Sequence, residues 1–438
     1  MSTTNPQLSD ISSVSSHSLP YNPALDGLRG LAILLVVLHH SGFARDPDSV
    51  GATALSHVKA AGWIGVDFFF VLSGFLITSI LIKSFGRPRW LRIFFARRAL
   101  RVLPLYFLVI CGCFNLVTLI PLEGLNWLRD LASDQWWYWL HLANFRKMAG
   151  DLDPSMPTVG WMSTYWSLSI EEHFYLVWPL VLLIIGPKRI PIAAMGGILL
   201  VWLLRSSIAF TELPNSFIYN NTLTRVDGLL LGAFLAWLDR YHASSLPKLR
   251  IAACVIGIAA CLAFVVPMIA GFSGGGRDTT YGRLVLYSAS VFGGGAIVVS
   301  LIGEPQKSFT TIAFSNAVLR SFGKYSYAIY VFNKPILFGL ATISNVTFGK
   351  LTTAEFGAAF AFASIVCWLA GWLSWHCVER PFLALKKHFQ IPSSPSGIEV
   401  LRNPKRLTIK KIAAHSELFC EITNEFQSNL RKPLSFCL

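Results

Sequence analysis

The sequence predicts an all-α, polytopic membrane protein of about ten transmembrane helices, with both termini in the cytoplasm. Three observations lead there. First, 53% of the 438 residues are hydrophobic and only 14% are charged, whereas a soluble domain carries roughly 25% charged residues. Second, apolar stretches recur at about 28–43, 62–82, 102–121, 167–186, 190–210, 226–238, 251–270, 284–302, 322–342 and 356–376. Most of them approach the roughly 20 residues that a helix needs to cross a hydrocarbon core about 30 Å thick. Third, basic residues collect in alternate connections, with seven between Lys83 and Arg101, a bias that marks cytoplasmic loops.

Residues 1–22 hold seven Ser in their first twenty positions and no Lys or Arg. They lack the basic start and apolar block of a signal peptide and are expected to form a disordered tail. Residues 23–390 then make the transmembrane unit, in which 226–238 is a short span. The Trp-rich stretch around Trp136, Trp137 and Trp139 is expected at the interface rather than across the membrane. Residues 391–438 lack a long apolar block, carry Arg402, Lys405, Arg406, Lys410 and Lys411, and are expected to be a cytoplasmic basic tail. The net charge of +14 fits loops beside an anionic leaflet; no stacking or basic-groove motif points to nucleic acid. The eight Cys form no C-x-x-C pair, so neither a metal site nor a permanently bound cofactor is expected.

Ionisable side chains inside hydrocarbon cost at least ~2.5–3.5 kcal/mol each on insertion scales, so those present point to function. In the first span Arg29 and His40 are eleven residues apart, about 16 Å along a helix and about 20° in azimuth. Both can therefore line one cavity, with Arg29 toward the cytoplasm and His40 in the outer half, while His39 points about 100° away. Asp67 enters the second span between Val66 and three Phe. Such a carboxylate needs a partner, and either it supports a neighbouring imidazole or it pins two helices together. Glu171, Glu172 and His173 open the fourth span, and Arg225 and Asp227 the sixth. His40, Asp67, Glu171, Arg225 and Asp227 are thus expected at similar depth. On the inner side Arg97, Arg98 and Arg101 can converge on phosphate groups, or simply obey the positive-inside bias. Asn333-Lys334-Pro335 interrupts the ninth span and is expected to add a polar wall or a kink.

With these residues in place, the chain resembles the membrane acyltransferase-3 family over roughly residues 22–390. The resemblance lies in Leu25-Asp26-Gly27-Leu28-Arg29-Gly30 with His40 at Arg-x10-His spacing, and in Gly65-Val66-Asp67 running on to Phe75-Leu76. Arg97-Arg98 with Arg101 and Pro104, Tyr165-Trp166-Ser167-Leu168-Ser169-Ile170-Glu171, Arg225-Val226-Asp227-Gly228, Gly323-Lys324-Tyr325-Ser326-Tyr327 and Val378-Glu379-Arg380-Pro381-Phe382 follow in the same order. The family carries acyl groups from coenzyme A to sugars and related hydroxyl acceptors. The resemblance implies a membrane O-acyltransferase with acyl-CoA, commonly acetyl-CoA, as donor substrate and a carbohydrate or other hydroxyl-bearing acceptor, in the cell membrane. By the same resemblance His40 is the catalytic residue, Arg29 its cavity partner, and Arg98 and Arg101 a donor-side contact.

Two departures from the family pattern stand out. Asn333 replaces the His of a Tyr-x-x-His-x-Pro stretch, and His173 replaces a Gln after the two acids. Asn333 keeps hydrogen-bonding capacity but cannot act as a base. The expected chemistry has His40 as general base, oriented by Asp67 or Glu171, with Arg97, Arg98 and Arg101 on the nucleotide phosphates; an acyl-His intermediate is the variant route. Glu172, Arg225, Asp227 and Asn333 are expected to contribute to substrate binding. A multi-pass transporter or flippase without acyl transfer is the competing class.

Overall fold

The computed structural model describes residues 22–116, 130–153, 155–156, 159–269, 277–302 and 308–389. The expected tails, 1–21 and 391–438, lie outside the described residues. Internal contacts group the described residues of 22–85 and 90–389 into one compact unit, and residues 86–89 belong to a second. Within the second unit, Gly86 and Arg89 adopt positive φ values of 75° and 56° in a tight turn.

The first unit is built from helices. The long ones are α1 (Pro23–His40), α2 (Ala52–Ala61), α3 (Ile64–Ser84), α4 (Trp90–Cys111), α5 (Ala143–Leu152), α6 (Trp166–Ile185) and α7 (Ile190–Ala209). They continue with α8 (Asp227–Tyr241), α9 (Leu246–Ile269), α10 (Tyr287–Ile302), α11 (Ala317–Phe348) and α12 (Thr353–Ser374). Among the described residues the only β pairing is an isolated bridge between Arg45 and Leu351.

Among the described residues, seven helical segments are long and apolar enough to cross a membrane, against about ten expected. The other three expected spans are also helical but differ in composition or length. α4 carries Arg92, Arg97, Arg98 and Arg101, α8 is only 15 residues long, and α11 is interrupted by Asn333 and Lys334. Polar content in α4 and α11 and short length in α8, rather than absence of helix, separate these three from the rest.

Lipid tails are as apolar as Leu side chains, so helices in a membrane associate by close packing rather than by escape from water. Glycine provides that closeness at two crossings. Where α1 meets α11, a Cβ on Gly30 would stand 1.9 Å from the Leu319 carbonyl oxygen, and one on Gly323 would stand 1.8 Å from that of Asp26. Where α3 meets α8, a Cβ on Gly74 would stand 1.9 Å from the Leu229 carbonyl oxygen. Backbone fills the space on the other side in each case, so no rotamer change relieves the clash. Gly323→Ala is therefore expected to push α1 off α11 and cost about 1–3 kcal/mol, the usual range for overpacking. Fluorescence-detected gel filtration after heating would read this as a lower melting temperature; an unchanged profile would contradict the crossing.

The ends of α1 are set locally. Asn22 caps its start by accepting from the Ala24 N–H at 3.0 Å, satisfying one of the donors a helix leaves free. At the other end Ser41 turns extended and its hydroxyl donates to the Leu38 carbonyl at 2.7 Å. The chain beyond is tied to the loop between α11 and α12, where the Leu351 N–H donates to Ala44 and the Asp46 N–H to Leu351. His40 is thus the final residue of a helix held at both ends.

Candidate active site

The last turn of α1 faces the middle of α11. His40 Nδ1 lies 2.8 Å from Asn333 Oδ1. Asn333 is fully buried, and its Nδ2 donates to the Tyr330 carbonyl at 2.6 Å. That bond turns the amide so that its oxygen meets the imidazole. An amide oxygen only accepts, so His40 Nδ1 carries a proton, and in the neutral imidazole the lone pair is on Nε2. Pro335 follows two residues later; lacking an N–H, it opens the helical ladder at the Val331 carbonyl, beside the residue that holds His40.

His40 lines a cavity of about 270 Å³ together with His39, Tyr219, Arg277, Tyr330 and Lys334. His39 was expected to point elsewhere. It reaches the same cavity because α1 stops there, with the two imidazole centroids 5.4 Å apart and its Nδ1 donating to the Lys59 carbonyl at 3.1 Å. The Tyr330 hydroxyl donates to the Thr164 carbonyl at 3.0 Å and is bonded to Ser167, which fixes the wall between α6 and α11. Lys334 Nζ donates to the Ser163 hydroxyl at 2.6 Å.

The acids expected around His40 go elsewhere. Asp67 is fully buried and takes Arg225 on one oxygen and the Ser290 hydroxyl on the other. A guanidinium supplies a permanent positive charge that an imidazole cannot, since it stays protonated in any surroundings. Arg225 is in turn boxed by aromatic faces, with its guanidinium 4.7 Å from the Tyr287 ring and 5.0 Å from that of Tyr219. Asp227 pairs with Arg205 at 2.9 Å, both buried, and Arg205 also donates to Ser288. These two ion pairs join α3, α7, α8 and α10 and leave neither Arg225 nor Asp227 facing the cavity as a substrate contact.

Glu171 belongs to a different centre, at the Arg29 end of α1. It accepts from the Tyr175 hydroxyl at 2.6 Å and stands 3.8 Å from Arg98, whose guanidinium lies 3.7 Å over the Tyr175 ring. Ser73 of α3 bonds to the same hydroxyl. Arg29 holds Asp26 at 3.7 Å and feels Arg98 and Glu171. Arg101 feels Arg29, Arg98 and Glu379, and Glu172 feels Arg98. Arg97, by contrast, is exposed. Three arginines therefore converge on one patch with four acids around them, about 16 Å along α1 from His40. Sequence reasoning placed all five titratable residues at one level; the structure sorts them into a His40 cavity, the buried Asp67–Arg225 and Arg205–Asp227 pairs, and an arginine centre at the Arg29 end of α1.

Sequence reasoning missed Tyr330 and Arg277, took Lys334 only as part of a polar interruption of the ninth span, and pointed His39 away from the cavity. Lys334 was findable, because an ammonium inside a span is as costly as the groups singled out. Tyr330 and Arg277 carry no such signal, since a Tyr in a helix and an Arg in a loop are ordinary.

A sequence model of the acyltransferase domain matches residues 22–372. The peptidoglycan O-acetyltransferase OatA of Listeria monocytogenes serovar 1/2a is 29% identical over 381 residues, covering 83% of this chain and 56% of that protein. The O-acetyltransferase OatA of Staphylococcus aureus (strain NCTC 8325 / PS 47) is 29% identical over 339 residues, covering 73% of this chain and 51% of that protein. The chain thus spans about half the length of these relatives. No solved structure matches it.

Proposed function

The chain belongs to the acyltransferase-3 family, and from that premise we propose that it is a membrane O-acyltransferase that esterifies a carbohydrate hydroxyl, with His40 as the general base. The observation that carries this reading is the His40–Asn333 bond, which holds the proton on Nδ1 so that Nε2 is the basic nitrogen of the neutral imidazole, in the wall of a cavity large enough for part of a sugar. Asn333 takes the orienting place that an acid holds in other imidazole bases: it fixes the tautomer but, being neutral, does not stabilise the imidazolium by charge. The name of the Listeria monocytogenes relative, a peptidoglycan O-acetyltransferase, points to a cell-wall glycan as acceptor class.

The donor in this proposal is acyl-CoA, probed first as acetyl-CoA, arriving at the inner arginine centre. Arg29, Arg98 and Arg101 offer planar donors to its phosphates, and the thioester arm extends along α1 toward His40. Nε2 takes the proton of the acceptor hydroxyl, and the oxygen attacks the thioester carbon. The C–S bond breaks, and the imidazolium returns its proton to the departing thiolate. The products are an O-acyl ester and free CoA. In this arrangement ten crossings place the inner centre at the cytoplasmic face of the cell membrane, with both termini on that side.

The test is reconstitution in liposomes with acetyl-CoA and a soluble glycan oligomer. Free thiol and ester are expected to appear together and in equal amounts. Glycan crossing the bilayer with no thiol released would mark a carrier instead, and ester formed only from another donor would remove acyl-CoA from the scheme.

A further inference from the structure

The cavity beside His40 contains a charge that its own walls leave uncompensated. Among the described residues its lining holds Lys147, Asp151, Arg277, Asp278 and Lys334 as charged side chains. Four of these are spoken for: Lys147 pairs with Asp151 at 3.2 Å, and Arg277 with Asp278 at 3.2 Å. Arg277 also lies 4.8 Å over the Tyr219 ring, which holds it against the wall. Lys334 has instead a neutral hydroxyl, Ser163, as its bonded partner, and the like charge of Lys147 acts on it.

An ammonium in a part-buried cavity with only a hydroxyl for company is an incomplete pair. Its position gives the missing partner a role. Lys334 follows directly on Asn333, the residue that holds His40, and both His40 and Lys334 line the same cavity. An anion seated on Lys334 therefore belongs to the molecule whose hydroxyl meets Nε2. We infer that the acceptor carries an anionic group, a carboxylate or a phosphate, that pairs with Lys334 while its hydroxyl is presented to His40. The inference rests on His40 being the acceptor-side base, and it names the substrate class that the cavity selects. A Lys is a compact point charge and accepts either anion, so the choice between the two is made by experiment.

Calorimetry on the detergent-purified full chain reads this without turnover. The probes are methyl glucoside, methyl glucuronide and methyl glucoside 6-phosphate, which share a ring and differ in charge. Wild type and His40→Ala are both expected to bind one of the anionic sugars at least tenfold more tightly than the neutral one, and the preferred anion identifies the group. Lys334→Gln is expected to bring the affinities within twofold of one another, whereas Lys334→Arg keeps the preference. Equal affinities for the three sugars in wild type, no measurable binding of any, or an undiminished preference in a folded Lys334→Gln protein would each overturn the inference. If Lys334→Gln fails to fold, the wild-type comparison alone still decides. A charge preference in His40→Ala together with full acyl transfer by that variant would sink His40 as base and leave the anion site standing.

Discussion

Replacing His40 by Ala is expected to lower acyl transfer by at least about 100-fold, the lower end of what a positioned general base contributes, while leaving the melting temperature of the solubilised protein within a few degrees of wild type. The structural cost is small because His40 is only half-buried at the end of α1, and its partner Asn333 keeps the Tyr330 carbonyl. The measurement is thiol release with ester analysis, run beside a melting curve. Transfer within tenfold of wild type would remove the imidazole from the chemistry, whatever the cavity binds. His39 is the natural internal control: its Nδ1 is committed to the Lys59 carbonyl rather than to α11, so His39→Ala should be far milder.

The second large effect concerns Asp67. Asp67→Asn is nearly isosteric, yet it leaves Arg225 as an uncompensated charge in a site where both side chains are 1% exposed. Removing one partner of a buried pair costs about 3–5 kcal/mol, so the variant is expected to lose most of its folded yield in membranes and to melt well below wild type. Making the pair neutral on both sides, Asp67→Asn with Arg225→Gln, should recover a substantial part of that loss, the non-additivity that marks a direct interaction. The opposite pattern is as informative. An Asp67→Asn protein that folds normally but cannot transfer acyl groups would return Asp67 to the role of supporting His40.

How far the site was legible follows from which interactions sequence can specify. Arg29 and His40 on one helix have a separation and azimuth dictated by helical geometry, so their assignment to opposite ends of α1 needed only counting. The partner of His40 is 293 residues away, and nothing in local spacing distinguishes Asn333 from Asp67 or Glu171 as the group that reaches it. Chemical reasoning favoured an acid beside an imidazole. It neglected that Arg225 competes for Asp67 with a permanent charge, and that Tyr175 and Arg98 compete for Glu171. The same neglect kept Lys334 in the background, because its significance lies in which acids of the cavity are already paired.

Composition, apolar segment length and the run of basic residues between Lys83 and Arg101 suffice to specify a helical membrane protein, because the bilayer imposes one length and leaves backbone groups no partner outside the helix. Within a helix, side-chain direction is periodic, and so the inner arginines and the outer imidazole could be placed relative to their own segments. Which charges meet was decided only when α1 packed against α11 and α3 against α8, at glycines where backbone touches backbone. A hydrogen-bonded ion pair needs its atoms within about 4 Å of one another, so a choice among acids that look equivalent in the chain is made by the packing of helices distant in sequence.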